Sequence, residues 1–128
     1  MKLLFEIDIL KKDILCTNIK VYEVEKNKRI AEIKNLVSDW GMQLAGSDKT
    51  IDFADLYDIL FNYRCISPNR NDMKKFLDFF NLPVFDAYAL CRKTNGVMAL
   101  DYYWLNFSDN KFESYEALVE YQKRIGFR

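Results

Sequence analysis

Asp52, Asp55 and Asp58 recur at every third position, a spacing that sets three carboxylates partly on one face of a helix. Such a trio can hold Mg²⁺, or repel itself until a partner's cations arrive, but the simplest expectation is a solvated face opposite a buried stripe. Magnesium sites usually also recruit substrate phosphates, and the four glycines of the chain offer no phosphate cradle. No Walker sequence, GxGxxG, GxSxG or EF-hand loop is present. Histidine is absent altogether, which removes the commonest general base, the commonest metal ligand and the Ser-His and Cys-His nucleophile pairs. Cys16, Cys65 and Cys91 lack zinc-ligand spacing, cannot all pair within the chain and form no CxxC. They read as reduced thiols serving as small buried hydrophobes in a cytoplasmic protein. No catalytic residue, cofactor or metal is expected.

Cations and aromatics remain as candidates for recognition. Tyr63-Arg64-Cys65-Ile66-Ser67-Pro68-Asn69-Arg70 places two arginines around a proline turn, with Lys74 and Lys75 close behind. A helix-turn-helix-like segment over 52–81 would use Arg64, Arg70, Lys74 and Lys75 to grip phosphates. Phe76, Phe79 and Phe80 leave that second helix few polar side chains for base edges. Arg64 also suits compensation of a helix dipole. Tyr102-Tyr103-Trp104 with Phe107 could stack bases or anchor a protein partner. On a strand, alternation sends Tyr102 and Trp104 to one face and Tyr103 to the other, so one set is core and the other a candidate anchor, although burial of most of these rings is the expected outcome.

These side chains need a scaffold. Half of the 128 residues are hydrophobic and 16% are aromatic, enough for one packed domain. The 19 basic and 19 acidic residues cancel, so no global field draws nucleic acid or anionic membrane. Glu6 and Asp8 interrupt the apolar N-terminus before any signal-peptide core can form, and no run suffices to cross a bilayer.

Leu3, Phe5, Ile7 and Ile9, then Leu15, Thr17, Ile19 and Val21, alternate with polar residues around Lys11-Lys12-Asp13. With Ile30 to Val37 after the turn at 25–28, residues 1–37 predict a three-stranded antiparallel meander. Gly41, Gly46, Ser47 and Asp48 predict a loop over 38–50 into which Trp40, Met42 and Leu44 tuck. Phe53, Leu56, Tyr57, Leu60 and Phe61 form one apolar stripe and predict a helix over 51–63, capped by Thr50 or Asp52. Further helices are predicted from about Asp72, with Asn71 as cap and Pro83 as stop, and from Asp86 to Thr94, closed by Asn95-Gly96. An extended aromatic stretch over 98–107, a turn at Ser108-Asp109-Asn110 and a helix capped by Ser114 complete the chain. The order argues for an α+β fold, a single domain over 1–128 with the meander covered by three or four short helices and an aromatic-rich strand near the C-terminus.

From about Ile51 to Phe107 the chain resembles small proteins of Gram-positive gut bacteria and their mobile elements, a pattern also seen in leader segments related to HipA-like proteins. The matching stretches are Tyr63 to Arg70, Phe85-Asp86-Ala87-Tyr88-Ala89-Leu90, Lys93-Thr94-Asn95-Gly96 and Leu100-Asp101-Tyr102-Tyr103-Trp104-Leu105. The turn carries one more residue before its proline than the Arg-x-x-Pro-x-x-Arg pattern of the resembling proteins, and the HipA kinase motifs are absent. The resemblance implies a phage, plasmid or conjugative-element origin and brings no catalytic residues.

The expected function is therefore that of a non-catalytic, protein-binding accessory or inhibitor, in its narrowest form an anti-CRISPR-like inhibitor of a host defence nuclease. Asp52, Asp55, Asp58 or Tyr103 would face a basic partner. The alternative is a small DNA-binding regulator acting through Arg64, Arg70, Lys74 and Lys75.

Overall fold

The computed structural model describes residues 1–37, 47–65 and 67–128. The alternating N-terminal residues form β1 (Lys2–Lys11), β2 (Ile14–Glu25) and β3 (Lys28–Asn35). Lys12 and Asn27 adopt positive φ at the two tight turns. Asparagine tolerates that region. Lys12 is pinned there, because its N–H donates to the Tyr102 carbonyl at 3.0 Å and its carbonyl accepts the Trp104 indole N–H at 2.7 Å. β4 (Lys49–Asp52) joins β3, and β5 (Tyr103–Phe107) joins β1. The result is a five-stranded antiparallel sheet of order β4-β3-β2-β1-β5.

Register puts one apolar set on one face. Ile7 lies opposite both Ile19 and Phe107, and Ile9 opposite Leu105. Phe5, Val21, Ala31 and Ile33 extend the same surface. Against it pack α1 (Asp55–Ile59), a 3-10 turn at Phe61–Tyr63, α2 (Met73–Phe79) and α3 (Ala87–Thr94), through Leu56, Leu60, Phe61, Phe80, Leu90 and Cys91. Each fully buried large side chain contributes about 1.5–3 kcal/mol relative to exposure. After a 3-10 turn at Ser108–Asn110, α4 (Tyr115–Arg124) buries Leu118 and Gln122. The expected α+β architecture is the one observed.

The opposite sheet face is polar. There the Asn18 amide donates to Glu6 at 3.2 Å and to Asp8 at 2.7 Å. Trp104, on this side of β5, is nevertheless buried beside Tyr115 of α4. Both alternating sets of β5 are therefore covered, and of the aromatic run only Tyr102, just ahead of the strand, stands exposed.

Several local expectations need correction. The helix predicted over 51–63 is only α1 followed by the 3-10 turn, because residues 49–52 are claimed by hydrogen bonding to β3. Neither Thr50 nor Asp52 caps α1, whose N-cap position is Ala54. The loop predicted over 38–50 is overtaken at its end by β4, and its Trp40, Met42 and Leu44 lie outside the described residues. Asp72, not Asn71, holds the N-cap position of α2 and makes no side-chain cap bond, and α2 ends at Phe79, ahead of Pro83. The extended stretch predicted over 98–107 is a strand only from Tyr103. Two caps stand as expected. The Asp86 carboxylate accepts from the Tyr88 and Ala89 N–H groups, and the Ser114 hydroxyl accepts from the Ala117 N–H. Asn95 and Gly96 close α3 with positive φ. Among the described residues, no helix is long and apolar enough to cross a membrane.

Candidate recognition groove

The 3-10 turn at Phe61–Tyr63 delivers Arg64 into the body of the protein, where it is 4% exposed. A buried guanidinium needs acceptors for its forked N–H groups. Nε donates to the Gly96 carbonyl at 3.0 Å, and the two terminal nitrogens donate to the Asp101 oxygens at 2.8 Å each. One of them also donates to the Tyr103 carbonyl at 2.9 Å. Asp101 in turn accepts the Tyr103 N–H at 3.1 Å. Its carboxyl is held below the ordinary value of 3.8, chiefly by the hydrogen bonds from Arg64.

This network fixes the segment between α3 and β5. Asn95 adds to it, accepting the Leu105 N–H on its carbonyl at 2.8 Å and donating its side-chain amide to the Leu105 carbonyl at 2.9 Å. Gly96 must be glycine on two counts. Its φ is +62°, and a Cβ there would lie 2.8 Å from Leu105 Cγ. Below, Gln122 of α4 donates to the Thr94 carbonyl at 2.9 Å, and Cys91 Sγ donates weakly to the Phe61 and Arg64 carbonyls at 3.5 Å.

The anchored segment forms one wall of an open groove of about 960 Å³, with residues of the 63–70 segment forming the other. Phe76, Tyr115, Phe127 and Arg128 also line it. Its apolar side chains are unusually bare. Leu100 is 99% exposed, Tyr63 71% and Tyr102 52%, and Met98 is exposed beside them. The Lys12 ammonium lies 4.4 Å above the Tyr102 ring. An apolar, partly aromatic concavity of this kind is suited to binding.

The residues singled out by sequence are distributed differently. Arg64, Arg70 and Tyr103 come together in the groove lining. Arg64 does not compensate a helix dipole, because its charge is matched internally by Asp101. Arg70 is exposed, pairs with Asp72 at 2.6 Å and lies over the Phe76 ring. Lys74 and Lys75 are exposed on α2, outside the groove lining. The 52–81 segment holds the end of β4, a five-residue helix and a seven-residue helix, so the two full helices of a helix-turn-helix are not formed. Asp52, Asp55 and Asp58 are all exposed but share no helix, since Asp52 closes β4. Among the described residues, no group of three or more acids and cysteines could hold a metal ion. Burial pushes the Cys16, Cys65 and Cys91 thiols up, away from reactive thiolate.

Leu100, Asp101, Met98 and Arg128 line the groove without having been singled out individually as site residues. The available signal was Leu100 itself, a large apolar residue in the loop between a helix stop and a strand. Comparison with protein families, with curated proteins and with solved structures finds no match to this chain.

Proposed function

We propose that this protein is a non-catalytic binding protein that recognises another protein through the groove between the 63–70 and 97–103 segments. The exposure of Leu100, Tyr63 and Tyr102 around one concavity carries the reading. Large apolar side chains scattered singly over a surface need no explanation, but clustered around a pre-formed groove they mark a contact site. The resemblance over 51–107 supports an accessory or inhibitory role in a mobile genetic element, of which anti-CRISPR-like inhibition of a host defence nuclease is the narrowest form. A DNA-binding role draws less support, because Arg64 is committed inward and Lys74 and Lys75 stand apart from the groove.

The test compares affinity purification from host lysate with the wild type, Leu100→Asp and Leu3→Asp. Leu3 is an exposed leucine on β1, outside the groove lining. A protein retained by the wild type and by Leu3→Asp, and lost with Leu100→Asp, is the expected result. Retention indifferent to Leu100→Asp removes the groove from the function.

A further inference from the structure

We infer that the groove takes a short partner segment in which acidic and apolar side chains stand together, an inference that rests on the protein-binding reading above. The charges in the lining do not cancel. Among the side chains that line the groove, Arg64, Arg70 and Arg128 outnumber the one carboxylate, Asp101. Asp101 is consumed by both forks of Arg64. Arg70 pairs with Asp72, in an exposed pair that water weakens and a ligand carboxylate can replace. Arg128 meets neutral acceptors, the Gln122 amide oxygen at 2.6 Å and the Tyr115 hydroxyl at 3.3 Å. Positive charge therefore stands next to the apolar surfaces of Phe76, Leu100 and Phe127.

A second concavity among the described residues behaves differently. On the polar face of the sheet, a cleft of about 440 Å³ sets Lys20, Lys34 and Lys111 against Glu6 and Asp8, and no aromatic side chain lines it. A nucleic acid strand suits the first groove less well than a peptide. Asp101 and Asp72 would stand near its phosphates, and two outward arginines are few for a backbone that carries a charge at every step. At about 960 Å³ the groove matches the upper range of small-ligand sites, room for a few residues rather than a whole element.

A phage-displayed library of random twelve-residue peptides, panned on the wild type and on Leu100→Asp, tests the inference. Enriched peptides are then measured by fluorescence polarisation against the wild type, Arg70→Glu and Lys26→Glu. Lys26 is exposed at the β2–β3 turn, the far end of the sheet, so its reversal changes net charge equally without touching the groove. The expected peptides depend on Leu100, carry Asp or Glu beside an aromatic or aliphatic residue, and bind Arg70→Glu about tenfold more weakly with Lys26→Glu unchanged. Leu100-dependent peptides that are neutral or basic overturn the acidic assignment and leave the protein-binding reading standing. Displacement of bound peptide by an equimolar twelve-residue oligothymidylate overturns the peptide assignment in favour of nucleic acid. A pool selected equally by Leu100→Asp overturns both readings. Circular dichroism melts matching the wild type establish that each variant is folded.

Discussion

Arg64 and Asp101, 37 positions apart in sequence, are joined by two parallel N–H···O bonds of 2.8 Å. The pair is unequal. Side-chain exposure is 5% for Arg64 and 34% for Asp101. Removing the carboxylate strands a cation that water cannot reach, whereas removing the cation leaves a carboxylate that water can. Asp101→Asn is therefore expected to cost about 3–5 kcal/mol. Arg64→Met, which keeps most of the buried stem, is expected to cost about 2–3 kcal/mol, chiefly from the Gly96 and Tyr103 carbonyls that lose the Arg64 donor. Urea denaturation of both variants decides the order. A milder loss in Asp101→Asn than in Arg64→Met contradicts this account.

Stability should fall at both ends of the pH scale, for opposite reasons. Asp101 and Asp109 have folded-state pKa values below the ordinary 3.8, because Arg64 and Arg92 donate to their carboxylates. Their contribution is whole above the unfolded value and disappears as pH falls through the folded ones. Tyr57 is shifted the other way, up to about 12, first by burial and then by its hydrogen bond to Asp86. The folded state then holds a proton that the unfolded state releases from about pH 10, so this contribution is lost between about pH 10 and 12. Denaturant midpoints measured across pH should decline below about pH 4, less steeply in Asp101→Asn. In Tyr57→Phe the alkaline decline between pH 10 and 12 should be shallower, and an unchanged slope rules the tyrosine out.

Among the described residues, the two glycines with positive φ, Gly96 and Gly126, should respond differently to alanine. At Gly96, φ is +62° and the new Cβ would stand 2.8 Å from Leu105 Cγ and 3.3 Å from Arg64 Cβ. Gly96→Ala is expected to cost about 1–2 kcal/mol for the left-handed backbone and about 1–3 kcal/mol more for overpacking. At Gly126, φ is +86° with nothing within 4 Å, so only the backbone part applies. Thermal melts showing equal losses would remove the steric half of the argument.

Helix capping offers a third contrast. The Ser114 hydroxyl caps α4 with one bond at 3.1 Å, so Ser114→Ala is expected to cost about 1 kcal/mol. Asp86 caps α3 and also accepts the Tyr57 hydroxyl at 2.9 Å. Asp86→Ala should therefore cost more, about 2–3 kcal/mol, since it also leaves that half-buried hydroxyl without its acceptor. In Tyr57→Phe the excess of Asp86→Ala over Ser114→Ala should shrink, which a double-mutant cycle measures.

What the sequence disclosed was local. Alternation at Phe5, Ile7 and Ile9 specified β1, and Asp86, Asn95, Gly96 and Ser114 marked helix ends through chemistry that acts within a few residues. The stripe at Phe53, Leu56, Tyr57, Leu60 and Phe61 correctly named core and near-core residues but overstated the helix. Apolar neighbours three apart share a face on a 3-10 turn as they do on an α-helix, so spacing does not distinguish them. β4 escaped notice because four residues are too few for alternation to register, and their pairing with β3 is a tertiary fact. Arg64 looked like a surface cation for the same reason, since its partners lie 32 to 39 positions away. The groove inherits that blindness, because each of its walls is legible alone while their convergence is set by a bond between distant segments.

Strands at the rim of a sheet are ordinarily templates on which another chain can crystallise into place. On β5 that opportunity is already taken. Asn95 imitates a neighbouring strand by engaging the amide and the carbonyl of Leu105 at once, while Asp101 and Arg64 do the same for Tyr103. The loop beside the groove thus serves as a stopper against sheet extension, and a partner docking there meets side chains in place of those backbone groups.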